Sequence, residues 1–547
     1  MNKTGARHAG ATLRRSSGGA RAPPAARACV AQLLLAAIVH TSMALPRGNG
    51  GALARAQGER PLATHAPGMA IDWRGEKGGA PAGDGARRSG KSVKIAGVFP
   101  AATVATSAFL WGYETGIITA ALLSIVPAFG LDAQPGALGL VAATATVGSL
   151  CGTLTAGRCA DFAGRRKMLQ TAASCSIVGC VLASNAARLD VLIFARLLAG
   201  VSIGIFATVT PMYAAECAET ATRGTVMSLP QLGMSSGIAS AYLASILMLQ
   251  WGGSHKHMFA SVSAPGVLCL LVASVSPESP RWLLLQGDHD GAMAALARLR
   301  GADACHVAHE VQQVATGIRE EAASSRAHWH SLSERSVLRT LGLCLLLQVF
   351  QQLSGINAVI NFGPAIMREA GVAALFRNIS RGNDKASLMM ATFAVYSPKL
   401  IMISLVVPLM DWLGRRFVLL AFLPVLAGSL LSLALALDAR VPAVGPSTAL
   451  IALLIYQSAF SCSLGPIPSM LSAELLPNHA RAAGMSVLLS ICTLCNVGVS
   501  SSWPLLQALF GSSKILMIYA GMTTLAFVFT YLFVPETAQI ALEATRL

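Results

Sequence analysis

Gln348, Gln351 and Gln352 stand three and four residues apart inside a long apolar run, and Ser354, Gly355, Asn357 and Asn361 follow them. On a helix that spacing puts the three glutamine amides on one stripe. An amide in hydrocarbon must find a partner or face water, or it costs several kcal/mol. The helix is therefore expected to line a polar cavity. A regular helix would point Asn357 and Asn361 away from the stripe, but a break at Gly355 would turn them to the same side. Such a row of neutral donors and acceptors suits a neutral, hydroxyl-rich ligand. The same amides would also serve to join helices within a bilayer.

The elements that must position these groups follow from composition. The chain has 547 residues, 54% apolar and 12% charged, against about 25% charged in a soluble domain. It reads as an all-α integral membrane protein. The net charge is +16, of which residues 1–95 alone carry +11. That excess is scattered among Gly, Ala and Pro with almost no aromatics, so base stacking is not provided for and no nucleic-acid partner is expected. The twelve cysteines show no metal spacing. Cys492-x-x-Cys495 lacks a nearby His, and no metal or cofactor is expected.

Residues 1–97 read as a disordered basic tail, within which 28–44 is a signal-like apolar segment. A transit-like tail or a later start at Met43 or Met69 are the alternatives. Twelve spans follow, near 98–124, 136–157, 168–187, 190–213, 225–249, 257–276, 338–367, 387–410, 417–437, 447–473, 483–508 and 514–534. They divide into a six-helix half over 98–276 and another over 338–534. A cytoplasmic linker with short amphipathic helices fills 277–337, and 535–547 is a short cytoplasmic tail. Placing both termini in the cytoplasm gives the inner side the excess of Lys and Arg.

The two halves repeat each other. Asp161-x-x-Gly164-Arg165-Arg166 after span two matches Asp411-x-x-Gly414-Arg415-Arg416 after span eight, at an offset of 250. Glu216 with Arg223 matches Glu474 with Arg481, and Pro277-Glu278 matches Pro535-Glu536, all at an offset of 258. Three patterns in register mean an internal repeat. These charges, with Arg281, fall at the inner face. There the acids and arginines are expected to pair as a latch that forms in one state and breaks in another, a cytoplasmic gate. The plainer reading is that they anchor loops.

The motifs together resemble the sugar porter family of the major facilitator superfamily. They are Gly157-Arg158-x-x-Asp161-x-x-Gly164-Arg165-Arg166, Arg196-x-x-x-Gly200-x-x-x-Gly204, Pro211-x-Tyr213-x-x-Glu216, Pro277-Glu278-Ser279-Pro280-Arg281-Trp282-Leu283, Gln351-Gln352-Leu353-Ser354-Gly355-Ile356-Asn357 and Pro535-Glu536-Thr537. The resemblance implies the major facilitator fold, twelve transmembrane helices in two six-helix halves, with a monosaccharide site between the halves. It implies sugar contacts from Gln231, Gln351, Gln352 and Asn357, with Asn361 beside them. Glu114 stands where proton-coupled relatives carry Asp and facilitative glucose transporters carry Asn, and Arg196 resembles its partner. A carboxylate there can bind and release a proton; a fixed Glu114–Arg196 ion pair without proton flux is the alternative.

Three departures qualify that resemblance. Ser469 follows Gly465-Pro466-Ile467-Pro468 where many members have Trp, and Thr493 stands at another frequent Trp. Both would remove an aromatic platform for the sugar. Lys399, behind Pro398, lies mid-span where the family has an uncharged polar residue. A midplane lysine is costly and functional by default: it would neutralise Glu114, attract an acidic substrate, or point down a wet cavity.

The expectation is a hexose transporter working by alternating access with proton symport. Hexose uniport and transport of a polyol or an acidic solute are the alternatives. The protein is expected as a monomer in the lipid bilayer of the plasma membrane, or of an organelle. A sugar sensor would need a longer signalling tail, and no paired carboxylates or nucleophile–base set points to an enzyme.

Overall fold

A computed structural model describes residues 98–219, 223–301, 304–324, 334–380, 382–402, 414–438 and 445–536. The signal-like segment 28–44, the rest of the basic tail, Asp411 and residues 537–547 lie outside the described residues, as does the side chain of Arg223.

All regular structure among the described residues is helical. The first half runs through α1 (Val98–Ala128), α2 (Pro135–Ala163), α3 (Arg165–Asn185), α4 (Leu189–Cys217) and α5 (Arg223–Gln250). It ends on α6 (His255–Ser261) and α7 (Ser263–Val275), which continue each other as one span. The linker carries α8 (Pro280–Leu285), α9 (His289–Arg300) and α10 (Ala304–Ser324). The second half begins with α11 (Arg335–Leu353) and α12 (Ile356–Glu369), two pieces of one span. Then come α13 (Ala373–Phe376), α14 (Asp384–Tyr396), α15 (Arg415–Ala436), α16 (Pro446–Cys462), α17 (Ile467–Leu475), α18 (Asn478–Phe510) and α19 (Ser512–Phe533).

Eleven segments among the described residues are long and apolar enough to cross a membrane. The span expected over 387–410 opens on α14 and a helical turn over 398–402, and its remainder lies outside the described residues. Leu271, Val275, Leu525 and Leu532 are more than half exposed. Leucine on the outside is costly in water and costs nothing against lipid tails.

A further span is also broken. The segment over 447–473 is split into α16 and α17 by an irregular turn at Ser463–Pro466. Pro466 and Pro468 lack the N–H that would carry the helix on, and a proline disfavours helix in the residue before it. The two prolines were visible in the sequence; their effect on the span was not drawn from them.

Within the first half α1 lies along α5, and α2 and α3 lie along α4. Gly200 and Gly204 explain the α2–α4 contact: a Cβ on either would meet the backbone carbonyl of Ala145 or Ser149. Small residues let two helix backbones approach where van der Waals contact drives association. In the second half α15 packs on α16 and α19. The halves meet where α2 lies against α18 and α5 against α14. Among the described residues two hydrogen bonds cross between them. Thr119 Oγ1 donates to the Ile360 carbonyl at 3.2 Å, and Asn383 Nδ2 donates to the Leu249 carbonyl at 2.8 Å. Both lie toward the ends of the spans away from the linker.

Candidate functional site

The seventh span breaks where the sequence suggested. Gly355 caps α12 at φ 83°, and a Cβ there would strike the Tyr519 ring, so only glycine fits this bend. The Tyr456 hydroxyl donates to the Ser354 carbonyl at 2.9 Å and satisfies an acceptor that the break leaves free. The bend brings Asn357 back to the glutamines: its Nδ2 donates to Gln352 Oε1 at 2.5 Å. Gln352 Nε2 then reaches Cys492 Sγ at 3.0 Å, and that thiol reaches Gln351 Oε1 at 3.7 Å. Gln351 Nε2 donates to the carbonyls of Leu464 and Gly465 at 2.7 and 2.9 Å. These are the carbonyls that the turn between α16 and α17 frees from helical bonding, so two broken helices satisfy each other.

Asn361 sits one turn further on, with Nδ2 at 3.4 Å from Ser500 Oγ, which in turn donates to Asn496. It also lines a cavity of about 700 Å³ together with Thr119, Phe362, Arg368 and Lys385. Gln351, Gln352 and Asn357 thus form one connected amide chain, with Asn361 beside it. Gln231 stands apart from them, exposed on α5 in the other half. Cys492, Asn496 and Ser500 were not singled out from the sequence as part of this site. Their spacing of four residues along one apolar helix was the available signal. Phe362, Trp503 and Tyr519 stack behind the break, with centroids 6.4 and 6.0 Å apart. Trp503 is fully buried, so it supports the break and offers no face to a ligand.

Glu114 is fully buried. Its Oε2 accepts from Ser176 and Ser202, each at 3.0 Å, and Cys180 Sγ lies 3.8 Å from Oε1. Arg196 is also buried, but no ion pair joins it to Glu114. Its Nε has no hydrogen-bond partner, and its guanidinium lies 6.0 Å from the Phe259 ring centroid. The two groups are thus not in direct contact here, though each lies within the other's electrostatic reach, and the contacts of the carboxylate are to hydroxyls from α3 and α4. Lys399 is buried as well, with Nζ 5.0 Å from the Tyr396 ring centroid. It does not reach Glu114, so neutralising that carboxylate is not its part here.

At the ends of the spans nearest the linker, where the sequence puts the inner face, each half ties the same knot. Arg165 grips Glu216 with two hydrogen bonds of 3.0 Å and reaches Asp161 at 3.2 Å. Glu278 accepts the backbone N–H groups of Arg165 and Arg166 at 2.9 and 3.0 Å, where a carboxylate suits the N-terminus of α3. Arg166 donates to the Ser274 carbonyl. In the second half Arg415 holds Glu474 at 3.0 Å, Glu536 accepts the Arg415 N–H at 2.9 Å, and Arg416 donates to the Tyr531 carbonyl. Arg481 donates to the Leu476 carbonyl, and Arg281 is half-buried at the start of α8. The pairs were expected to close across the inner face; each lies within its own half instead. The repeat spacing placed both members of a pair in one half, and the fold brings them together there.

A family model described as "Sugar (and other) transporter" matches residues 100–546. The plastidic glucose transporter 4 of Arabidopsis thaliana is 29% identical over 467 residues, which cover 84% of this chain and 82% of that protein. The major myo-inositol transporter IolT of Bacillus subtilis (strain 168) is 28% identical over 79% of this chain and 90% of its own. Among solved structures, the inward open conformation of the xylose transporter XylE from E. coli aligns with a TM-score of 0.68 at 23% identity. It covers 81% of this chain and 98% of that one, and shows the same fold.

Proposed function

The chain belongs to the sugar transporter family, and from that premise we propose that it carries a hexose across a membrane by alternating access, in symport with a proton. The observation that carries the reading is the connected amide chain at the broken seventh span. Gln352 and Asn357 hold each other, and Gln351 joins them through the Cys492 thiol, by contacts that a sugar's hydroxyls can exchange for their own. A neutral sugar gives up water on entering, and several correctly placed amides are needed to offset that loss. Asn361 extends the set, and Gln231, exposed on α5, joins the sugar from the other half when the halves close.

In this reading Glu114 carries the proton. Protonated, it needs no cation and sits among hydroxyls. Deprotonated, it gains from the unpartnered Arg196 Nε once the helices shift. The inner knots at Arg165, Glu216 and Glu278, and at Arg415, Glu474 and Glu536, together with Arg166, Arg281, Arg416, Arg481 and Asp161, act as the gate, and the repeat spacing assigns Arg223 and Asp411 to it as well. Each makes one half rigid so that the halves rock as bodies. The protein acts as a monomer in the plasma membrane; the relative named for plastids supports an organelle membrane as the alternative. The relatives named for myo-inositol and polyols support a polyol as the second substrate reading, since the amide set suits it equally.

The test is uptake of labelled glucose, xylose and myo-inositol by purified protein in liposomes, with and without an inward proton gradient. Uptake raised above equilibrium by the gradient is expected. Uptake that stops at equilibrium in both cases rejects symport, and uptake of none of the three rejects the neutral-sugar reading.

A further inference from the structure

Lys399 is 8% exposed, in the helical turn that resumes past α14, and no hydrogen bond or ion pair answers its ammonium among the described residues. The Tyr396 ring at 5.0 Å attracts a cation, but weakly beside the cost of burying one. Nor can a nearby acid take the charge. The elements packed on α14 are α5, α12, α13 and α16. Of these α5, α13 and α16 hold no Asp or Glu. The one acid of α12, Glu369, is taken by Ser512 and Gln507. Residues 403–410, which follow in the sequence, contain none either. Glu114 is held by hydroxyls on α3 and α4.

Two hydroxyls lie here as well. Tyr396 Oη and Ser235 Oγ are both buried with no third group bonded to either, and they face each other across the seam as hydrogen-bond neighbours. Tyr396 is fixed by an edge contact to Tyr242, with centroids 5.4 Å apart. An ammonium without an acceptor, over the Tyr396 ring, and a hydroxyl pair that has only itself thus lie together at the seam between the halves, with Ser235 one helical turn along α5 from Gln231. What they lack in common is an anion with several lone pairs.

We propose that Lys399, Tyr396 and Ser235 form a carboxylate-binding subsite, and that the solutes carried include sugar acids such as hexuronates. This rests on the reading of the chain as a sugar transporter and refines its substrate class. The single positive charge matches a monoanion; a sugar phosphate would bring a further negative charge that neither Tyr396 nor Ser235 answers. Anion binding also offsets the cost of the buried lysine, which no protein group among the described residues does.

The test is direct binding of labelled glucose, glucuronate and glucose 6-phosphate to the purified full chain, for the wild type, Lys399→Met, Lys399→Arg and Ser235→Ala. Thermal unfolding confirms that each variant is folded. The wild type is expected to bind glucuronate, Lys399→Met to lower the ratio of glucuronate to glucose affinity about tenfold or more, and Lys399→Arg to restore part of it. Ser235→Ala lowers the same ratio by a smaller factor and serves if Lys399→Met fails to fold. An unchanged ratio in the folded variants overturns the subsite, and so does a preference for glucose 6-phosphate over glucuronate. A wild type that binds glucose and not glucuronate overturns the subsite alone. One that binds glucuronate and not glucose supports the subsite and overturns the neutral-sugar reading. Binding of none of the three overturns both.

Discussion

Glu114 and the amides of the seventh span differ in what holds them, and the difference decides what their variants should do. Ser176 and Ser202 donate to the Glu114 carboxylate. A glutamine in its place keeps an acceptor for both serines but cannot exchange a proton. Glu114→Gln is therefore expected to abolish accumulation against a gradient while sparing sugar exchange, read as the steady-state ratio of labelled sugar in liposomes. Unchanged accumulation would remove Glu114 from coupling. Gln351 instead spans two broken helices, through the Leu464 and Gly465 carbonyls. Gln351→Ala is expected to raise the KM for sugar about tenfold, the worth of roughly 1–1.5 kcal/mol from one lost hydrogen bond. Expression should stay normal, and a KM that does not move would take Gln351 out of the site.

At the scale of elements, the breaks matter more than the spans. A helix that runs unbroken satisfies its own backbone and offers a ligand only side chains. The breaks at Ser354–Gly355 and Ser463–Pro466 leave carbonyls that Tyr456 and Gln351 then hold. Gly355 adopts a left-handed conformation and abuts the Tyr519 ring. Gly355→Ala adds about 1–2 kcal/mol of backbone strain and pushes against that ring. The expected result is a lower Tm together with weaker sugar binding, measured on one preparation. A variant with both quantities unchanged would show that the bend is set by other contacts.

For the molecule as a whole, the inner knots lie within halves while Thr119 and Asn383 tie the halves together near the outer ends. Asn383 has two separable parts: its Oδ1 accepts the Lys385 and Ala386 N–H groups as the cap of α14, and its Nδ2 reaches across to Leu249. Asn383→Asp keeps the cap and removes the tie, since aspartate caps as well as asparagine does. Losing about 1 kcal/mol from the outer contact should shift the balance toward the outward-facing state by roughly fivefold. Sugar binding from the outer side should then tighten relative to the inner side in sided vesicles. An unchanged ratio would mean that the tie plays no part in closure.

The sequence by itself determined the membrane class, the order of the spans, the two-fold repeat and the residue types of the site. Those rest on local composition and on spacing, which survive without coordinates: an amide or a carboxylate in an apolar run stands out wherever the run folds. The break at Gly355 was legible for the same reason, since glycine amid polar residues marks a bend. Pairings between helices distant in the chain were not legible, because they depend on how each helix is rotated about its axis. That rotation put Cys492 between Gln351 and Gln352 and gave Glu114 to two serines instead of Arg196. It also kept each inner knot within one half and left Lys399 over the Tyr396 ring without an acceptor. Which donor meets which acceptor is a property of packed surfaces, and only the tertiary structure decided it.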